Sequence, residues 1–506
     1  MTTPTPVTPV EAPAGSVAEH LGGPRVPVDE RLLERLRSSC AEVRVDEQAR
    51  TEAGRDWWPL AIAWALEGSV PAMPGAVARP GTAAEVAAVL RCCHEAHVPV
   101  TTVAGRSGVC GASVPLFGGV SLDLCSMAGI TEVDHDSLLA EVAPGTFGPD
   151  LEHALHAESL TLGHWPQSMA LSTVGGWLAC RGAGQYSTRY GKIEDMVVGL
   201  EVALADGRLL RTGGAGPRSA VGPDLNQLFV GSEGVLGVIT SALLRLRPAA
   251  VAERRAAYSF ASFTDGLEAC RRILRRGATP AVLRLYDEVE SQRNFEVSDC
   301  ALVVLDEGDP ALVEPTMALV DDECRATGGA SADAVLVDRW MAHRNDVSAL
   351  AGLYRAGIVV DTVEVAGRWS TLPGLYRSAV EALRSVEGTL VASAHQSHAY
   401  GDGACLYFTF AGRQPEGAAG ADGASAAWAE RYYAAAWDRV MEVVLAQGAA
   451  ISHHHGIGVN RARFVQPALG EAFGVLRGLK ETLDPRGILN PGKLGLPSPF
   501  GEVPWP

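Results

Sequence analysis

The stretch STVGGWLACRGAG, residues 172–184, places four glycines among hydroxyl-bearing and small apolar residues. Three further stretches have a similar composition: AGRSGVCGASV (104–114), YGKIEDMVVG (190–199) and GSEGVLGVIT (231–240). Glycine lets backbone N–H groups approach an anion closely and adopts positive φ without strain. One such loop is typical of a tight turn, but four in one region, with little basic charge, predict a large phosphate-bearing cofactor held by backbone groups.

These loops lack the two common nucleotide fingerprints. No G-x-G-x-x-G motif follows a strand and opens a helix, and no G-x-x-x-x-G-K-[ST] motif occurs. The sequence therefore supports neither a dinucleotide-binding Rossmann site nor a P-loop.

Composition narrows the class of protein. A chain of 506 residues is too long for one core, which predicts two or three domains. Its net charge of −17 argues against a nucleic-acid partner, because phosphate backbones require a basic surface. Ten cysteines without a CxxC motif indicate reduced thiols and a cytoplasmic location. The apolar run PLAIAWAL (59–66) is shorter than the roughly 20 residues of a membrane helix, although peripheral membrane contact stays open.

The pattern of helices and strands predicts an α+β protein. Thr82 and Glu85 form a capping box before a helix, and Asp206 with Gly207 predicts the turn of a hairpin. We expect five segments, namely a disordered leader (1–25), an N-terminal helical extension (26–74), a cofactor-binding domain (75–248), a cap or substrate domain (249–450) and a C-terminal segment (451–506) that returns to the cofactor.

The four glycine-rich stretches, in their order and residue pattern, and the ending DPRGILNPGKLG (484–495) resemble the corresponding segments of the vanillyl-alcohol oxidase and p-cresol methylhydroxylase flavoproteins. This resemblance implies a two-subdomain FAD-binding domain. By position, it implies that FAD contacts Thr102, Val103, Ala104, Gly105, Arg106, Ser107, Gly108, Gln167, Ser168, Ser172, Thr173, Arg181, Gly182, Ala183, Glu233, Gly234, Val235, Leu236, Gly237, Val238 and Ile239.

Many relatives in this family attach FAD covalently through a histidine or cysteine near these loops. Residues 101–112 contain no histidine, and Cys110, the one thiol there, matches no attachment position. We therefore predict non-covalent FAD.

Other motifs across the chain are similar to the alkyldihydroxyacetonephosphate synthases: GRDWWPLAI, STVGGW, YGKIEDMVV, GPDLNQLFVGSEGVLGVIT, RLYD, DGACLYF and SHHHGIG. Those flavoenzymes replace the acyl group of acyl-dihydroxyacetone phosphate with a fatty alcohol, which makes an ether bond without net redox. The likeness implies a small, lipid-like substrate and acid–base chemistry at flavin N5, and it leaves a homodimer open.

The chain also resembles the D-2-hydroxy acid dehydrogenases, which use GDGN-L-H and GEHGIG segments to bind a divalent metal. Here Tyr407 replaces a ligand histidine, and His454 replaces the glutamate. If residues 453–455 were extended, neighbouring side chains would point to opposite faces, so that at most His453 and His455 could share a site. The sequence therefore predicts no metal and keeps an FAD-dependent alcohol or 2-hydroxy acid oxidoreductase as the alternative function.

An acid–base role fits these residues better. Tyr407 matches the acid–base tyrosine of the synthases, and its phenol pKa would be lowered near a flavin and a histidine. His454 would be its partner, with His453 or His455 in support, because imidazole titrates near neutrality. Packing within a strand is the alternative for Tyr407, and a chance polar loop is the alternative for the histidines.

Three arginines are candidates for binding the substrate. Arg284, in VLRLYDE, matches an arginine that the synthases need for active-site integrity. The synthases' phosphate-binding arginine has no counterpart, because Leu350 occupies its place, and Arg344 and Arg355 are the nearest replacements. Arg344 also resembles the W-x-x-x-R arginine that grips carboxylate in the hydroxy acid enzymes.

Overall fold

A computed structural model of the protein describes residues 10–11, 16–346, 349–415 and 424–505. Residues 1–9 and 12–15 of the expected leader, and residues 416–423, lie outside the described residues. Residues 416–423 belong to the low-complexity stretch QPEGAAGADGASA (414–426), whose composition predicts an exposed loop. The described part is built from both helices and sheets, as predicted for the α+β class.

The strands are numbered in chain order. They are β1 (Ala18–Glu19), β2 (Glu42–Arg44), β3 (Ser69–Val70), β4 (Ala76–Arg79), β5 (Val100–Val103), β6 (Val120–Asp123), β7 (Ile130–Asp134), β8 (Leu139–Val142), β9 (Leu160–Thr161), β10 (Val197–Ala203), β11 (Leu209–Gly213), β12 (Val238–Arg245), β13 (Arg247–Pro248), β14 (Ala252–Phe260), β15 (Val282–Tyr286), β16 (Cys300–Gly308), β17 (Ala330–Ala332), β18 (Ile358–Arg368), β19 (Thr389–Ala399) and β20 (Gly403–Arg413).

The helices are α1 (Glu30–Ser39), α2 (Glu47–Glu52), α3 (Pro59–Leu66), α4 (Ala83–Ala96), α5 (Gly148–Ala157), α6 (Val174–Cys180), α7 (Ser187–Tyr190), α8 (Ile193–Met196), α9 (Asn226–Phe229), α10 (Phe263–Arg275), α11 (Glu288–Phe295), α12 (Pro310–Ala326), α13 (Val335–His343), α14 (Ala349–Arg355), α15 (Leu372–Arg384), α16 (Ala424–Ala446), α17 (Ala462–Leu469) and α18 (Phe473–Leu483). Short 3₁₀ turns lie at Leu124–Ser126 and Gly470–Ala472. Among the helices that the structure describes, none has both the length and the apolar character that a membrane crossing requires.

The first half of the chain forms two sheets. Four strands run in the order β2-β4-β6-β5, with β4, β6 and β5 parallel, and five antiparallel strands run in the order β11-β10-β12-β8-β7. Half of the predicted capping box of α4 is confirmed, because the Thr82 side chain accepts from the Glu85 N–H, whereas the Glu85 carboxylate accepts from the N–H groups of Gly81 and Ala41. The predicted hairpin is also confirmed, since β10 and β11 pair on either side of Asp206 and Gly207.

A seven-stranded antiparallel sheet dominates the second half. Its order is β17-β14-β16-β15-β19-β20-β18, so that β20 lies between β19 and β18. Helices α10, α12 and α15 pack on it through buried apolar side chains, including Leu267, Val320 and Leu375. The long central strands form a rigid platform for the side chains of their opposite face.

Both ends of the described chain contact the first half of the protein. Residues 16–25 differ from the expected free leader, since β1 pairs with β3 and the Arg25 guanidinium donates to the carbonyls of Leu21 and Leu116. The expected helical extension (26–74) also supplies β2, which joins the four-stranded sheet. Near the other end, Leu489 bridges Val100 on β5, which returns the last segment to the first half of the chain.

Candidate active site

Tyr407 lies at the centre of a polar row that crosses the seven-stranded sheet. In the strand register, it faces Glu364 of β18 on one side and His395 of β19 on the other. Directly opposed residues project to the same face of a sheet, so these three side chains lie next to one another. None of them is more than 7% exposed. Such a buried polar row is costly unless each member finds a hydrogen-bond partner.

His454 reaches Tyr407 from the loop that follows α16. Tyr407 Oη lies 2.6 Å from His454 Nε2, which brings together the two residues that the sequence paired. The expectation for residues 453–455 is corrected in another respect. They form bends instead of a strand, and the adjacent residues His453 and His454 meet with their Nδ1 atoms 2.9 Å apart. The His455 ring lies edge-on to the Tyr407 ring, with ring centroids 5.5 Å apart.

The contacts form one hydrogen-bonded relay from Tyr407 through His454 to His453. A neutral imidazole carries one N–H and one lone pair, so a proton accepted by one nitrogen can be matched by a proton released from the other. Beyond the relay, His453 stacks on Tyr400 with ring centroids 5.6 Å apart. The arrangement can therefore pass a proton between Tyr407 and His453 in either direction.

Burial sets the charge state of this relay. It raises the pKa of Tyr407 well above its usual value, and Cys405 adds to this effect while the Arg284 guanidinium opposes it. The expectation of a lowered phenol pKa is therefore corrected, because the sheet removes the phenol from water. Burial also lowers the pKa of His454 well below its usual value. The resting pair is a neutral phenol and a neutral imidazole.

A buried ion pair holds in place the loop between α16 and α17, residues 447–461, which we call the histidine loop. The Glu364 carboxylate accepts from the Ser452 hydroxyl and from the backbone N–H groups of His453 and His455. Arg461 lies 3.0 Å from Glu364, and both side chains are fully buried. Burial alone would raise the pKa of Glu364, but the Arg461 guanidinium holds it well below its usual value. Glu364 therefore stays ionised and fixes the backbone on both sides of His454.

Glu233 fixes the next part of the same loop. Its carboxylate accepts from the backbone N–H groups of Ile457 and Gly458. The family resemblance implies that FAD contacts Glu233, but the Glu233 carboxylate is occupied by the histidine loop. A Cβ on Gly456 would lie 2.5 Å from Glu233 Oε1, so only glycine permits this close approach.

The predicted FAD loops converge at this place. A Cβ on Gly105 would lie 2.1 Å from the Leu171 carbonyl oxygen, and a Cβ on Gly234 would lie 3.7 Å from Thr102 Cβ. Arg106, Arg181 and Glu233 adopt left-handed backbone conformations at the turns of three of these loops. These close approaches bring residues 102–108, 167–173, 180–183 and 233–239 together beside the histidine loop, and we call this group of loops the cradle.

The cradle fits a polar cofactor. Several buried side-chain atoms in and around it find no hydrogen-bond partner within the part of the chain that the structure describes. They are Arg106 Nε, Ser113 Oγ, both ring nitrogens of His164 and both amide atoms of Asn460. Buried polar atoms without partners are costly, and the phosphate, ribose and carbonyl groups of FAD offer matching partners.

The structure separates the three candidate arginines. Arg284 lies with its guanidinium carbon 5.9 Å from the Tyr407 ring centroid. Arg344 packs against the rings of Tyr186 and Trp340. Arg355 is exposed and pairs with Glu11. Arg284 is therefore the one of these three that the structure brings to the Tyr407 relay.

Sequence reasoning missed four buried residues of this site, namely Glu290, Glu364, His395 and Arg461. The Glu290 carboxylate binds His395 Nδ1 at 2.7 Å, and His395 stacks on Tyr407 with ring centroids 4.6 Å apart. A signal was present in β19, where Ser393, His395 and Ser397 alternate with other residues at the period of a strand. Such alternation marks one sheet face as polar.

Cys405 adds a possible set of metal ligands. One ligand atom each from Cys405, His453 and His454 lies within 4.8 Å of the other two. Burial raises the pKa of the Cys405 thiol well above its usual value, which disfavours the thiolate that binds metals. The Nδ1 atoms of the two histidines also bind each other. The geometry permits a metal, and burial keeps both histidines in the neutral form that binds metals, but it also keeps the Cys405 thiol protonated, which opposes one.

Two family models match the chain. The model described as an FAD binding domain matches residues 74–213, and the model described as the C-terminal domain of FAD linked oxidases matches residues 250–494. Together they include the seven-stranded sheet, the histidine loop and the cradle except for residues 233–239.

Relatives agree with these matches. The uncharacterized FAD-linked oxidoreductase YgcU of Escherichia coli O157:H7 is 31% identical over 83% of this chain and 89% of its own. An alkyldihydroxyacetonephosphate synthase of Dictyostelium discoideum is 28% identical over 84% of this chain and 74% of its own. A solved alkyldihydroxyacetonephosphate synthase shares the fold with a TM-score of 0.73 and 24% identity, over 96% of this chain and 90% of its own. The chain belongs to the FAD-linked oxidoreductase family with a p-cresol methylhydroxylase-type FAD-binding domain, and FAD is its cofactor.

Proposed function

We propose that the protein is an FAD-dependent enzyme of the alkyldihydroxyacetonephosphate synthase type, which exchanges the acyl group of acyl-dihydroxyacetone phosphate for a fatty alcohol. The contact between Tyr407 Oη and His454 Nε2, at 2.6 Å, carries this proposal. Similarity to the synthase of Dictyostelium discoideum over most of both chains supports it.

The exchange needs a group that moves protons in both directions. The alcohol loses its O–H proton as its oxygen bonds to the substrate carbon, and the bond from that carbon to the acyl oxygen breaks to release a fatty acid. A proton next to the substrate carbonyl must also leave and return. Tyr407 and His454 are neutral at rest, so that the phenol can donate a proton and the imidazole can accept one.

The remaining groups have separate roles in this proposal. FAD, when bound, supplies a ring system that can accept an electron pair. Arg284 supplies the positive charge beside Tyr407 and is our candidate for the anionic end of the substrate. Glu364 and Arg461 keep the histidine loop in register. We also propose that FAD is held without a covalent bond, through the loops of the cradle.

A second candidate is an FAD-dependent oxidoreductase that acts on a 2-hydroxy acid or another alcohol. Two observations favour it: the similarity to the FAD-linked oxidoreductase YgcU, and the Cys405, His453 and His454 group, which could hold a metal beside the substrate. In that reaction the relay would take the proton of the substrate hydroxyl, and an external acceptor would remove the electrons.

A pair of assays separates the two candidates. The holoenzyme is incubated without an electron acceptor with acyl-dihydroxyacetone phosphate and a long-chain alcohol, and the ether product and fatty acid are measured. In parallel, the visible flavin band is followed under anaerobic conditions with 2-hydroxy acids. Ether product in equal amount to fatty acid supports the synthase. Bleaching of the flavin by a hydroxy acid, with no ether product, contradicts it and supports the oxidoreductase.

The proposal also covers the substrate class, assembly and location of the protein. We propose that the substrate is a lipid-like small molecule, that the protein contacts a membrane surface peripherally, that it forms a homodimer and that it is cytoplasmic. The net charge of −17 supports the exclusion of nucleic acid as a partner.

A further inference from the structure

Glu290 and His395 form a buried pair behind the Tyr407 relay. Glu290 lies on α11 and is 1% exposed, and its Oε2 atom is 2.7 Å from His395 Nδ1. The other carboxylate oxygen accepts from the Thr409 hydroxyl at 2.6 Å and from the Ser393 hydroxyl at 3.2 Å. Arg293, which is half-exposed on the same helix, lies 3.3 Å from that oxygen. The carboxylate is therefore fully committed to neighbours from three elements.

The far side of the His395 ring contacts Arg284. Its Nε2 atom is 2.6 Å from Arg284 Nη2. A guanidinium can only donate hydrogen bonds, so His395 Nε2 must accept and carries no hydrogen. The ring is then neutral, and its one N–H lies on Nδ1 and donates to Glu290. The two neighbours together select one tautomer of His395.

The electrostatics agree with this assignment. Burial, with the Arg284 guanidinium acting in the same direction, lowers the pKa of His395 to about 4. Burial alone would raise the pKa of Glu290, but its pairing with His395 lowers it to about 2. A neutral imidazole and an ionised carboxylate are the forms that the hydrogen bonds require.

Few other groups position the Arg284 guanidinium. It contacts the Ser397 hydroxyl only at 3.5 Å, and its Nε atom has no hydrogen-bond partner among the described residues. The rings of Tyr286 and Tyr407 lie 5.4 Å and 5.9 Å from its carbon. The short contact to His395 is thus the main directional bond that places the charge.

We propose that Glu290 is a positioning residue: by fixing the tautomer of His395, it holds the Arg284 guanidinium over Tyr407. If the carboxylate is lost, His395 can carry its hydrogen on Nε2, which then faces a donor of Arg284 and drives the guanidinium away. The effect on turnover rests on the proposed function, whereas the placement of Arg284 does not.

Crystal structures of the holoenzyme test the placement directly. In Glu290→Ala the guanidinium of Arg284 is expected to leave its place beside His395 Nε2. In Glu290→Gln it is expected to stay, because the amide oxygen can accept from Nδ1–H while the amide NH₂ donates to Thr409 or Ser393. Glu288→Gln, which removes an exposed carboxylate of the same helix, is the matched control. A guanidinium that stays in place in Glu290→Ala overturns the proposal.

Kinetics then separate positioning from a purely structural role. With whichever substrate the holoenzyme turns over, Glu290→Ala is expected to lose roughly ten- to a hundred-fold in kcat/KM, the scale of a hydrogen bond to a charged group. Glu290→Gln should recover most of this loss. The double variant with Arg284→Ala should be no worse than Arg284→Ala alone. Additive losses, or a loss in Glu290→Gln as large as in Glu290→Ala, contradict the proposal.

Discussion

Tyr407 Oη and His454 Nε2 lie 2.6 Å apart, although 47 residues separate them in the chain. The contact exists because β20 holds the tyrosine on the polar face of the seven-stranded sheet, while Glu364 and Glu233 hold the histidine loop across it. Two carboxylates from different halves of the chain therefore set the geometry of one acid–base pair.

We expect Arg284 to be the arginine that binds the anionic end of the substrate. Arg284→Ala removes the positive charge next to Tyr407, and we expect kcat/KM to fall by roughly a hundred-fold or more, as for a lost charge-assisted contact. Arg355→Ala should change it by less than about three-fold, because a surface ion pair contributes little. Steady-state kinetics on the two holoenzymes check this, and equal losses would refute the assignment.

Glu364→Gln should destabilise the protein as well as inactivate it. The substitution leaves the fully buried Arg461 without its counter-charge, and breaking a buried ion pair costs about 3–5 kcal/mol. Urea unfolding of the holoenzyme measures the loss. Glu381→Gln, at an exposed position of α15, is the control and should change the free energy of unfolding by less than about 0.5 kcal/mol. Equal stability of the two variants would show that Glu364 is not an anchor.

The sequence was sufficient for the parts of the molecule that local rules govern. The Thr82 cap and the hairpin at Asp206 and Gly207 depend on neighbours within a few residues, and the structure confirms both. The family resemblance depends on whole motifs, and these motifs were sufficient to predict the FAD cofactor and the fold. It also paired Tyr407 with His454, which no local rule would have done.

The rest of the site depends on contacts between distant parts of the chain. Glu290 and His395 are 105 residues apart, and Glu364 and Arg461 are 97 apart. The alternation in β19 marks His395 as lying on a polar face, but neither pairing has a local signature, because strand order and loop path determine which residues meet. The expectation for the histidines was wrong in its geometry for a related reason. It assumed an extended backbone, whereas the carboxylates of Glu364 and Glu233 bend the loop.

Acid should weaken the fold partly through His164. Burial lowers the pKa of this fully buried imidazole to about 3, so the folded protein keeps it neutral. In the unfolded chain, His164 binds a proton below about pH 6.5. The neutral His164 of the folded protein therefore contributes its full stability above that pH, and this contribution is lost as the pH falls.

His164→Phe removes this proton-binding difference. Between about pH 8 and about pH 5, the variant should lose about 2 kcal/mol less stability than the natural protein does. Urea unfolding at both pH values measures the difference. His135→Phe, at an exposed position, should behave like the natural protein. If His164→Phe shows the same pH dependence as the natural protein, the neutral buried state is refuted.

Removal of divalent metals should leave activity unchanged. The Cys405 thiol is held protonated by burial, and the Nδ1 atoms of His453 and His454 bind each other. We expect elemental analysis of the purified holoenzyme to find no stoichiometric metal and a chelator to leave the rate unaffected. Stoichiometric zinc or manganese that disappears in Cys405→Ser, together with loss of activity on chelation, would support the oxidoreductase alternative instead.

Tyr407→Phe removes one oxygen and shows whether Tyr407 and His454 move the proton. The measurement is kcat of the FAD-loaded variant. Tyr432→Phe is the control, because Tyr432 is a buried tyrosine of α16 that binds Thr389 at the start of β19. We expect a loss of about a hundred-fold or more in Tyr407→Phe with full FAD content, and little change in Tyr432→Phe. If Tyr407→Phe binds FAD and turns over within about three-fold of the natural rate, Tyr407 does not move the proton.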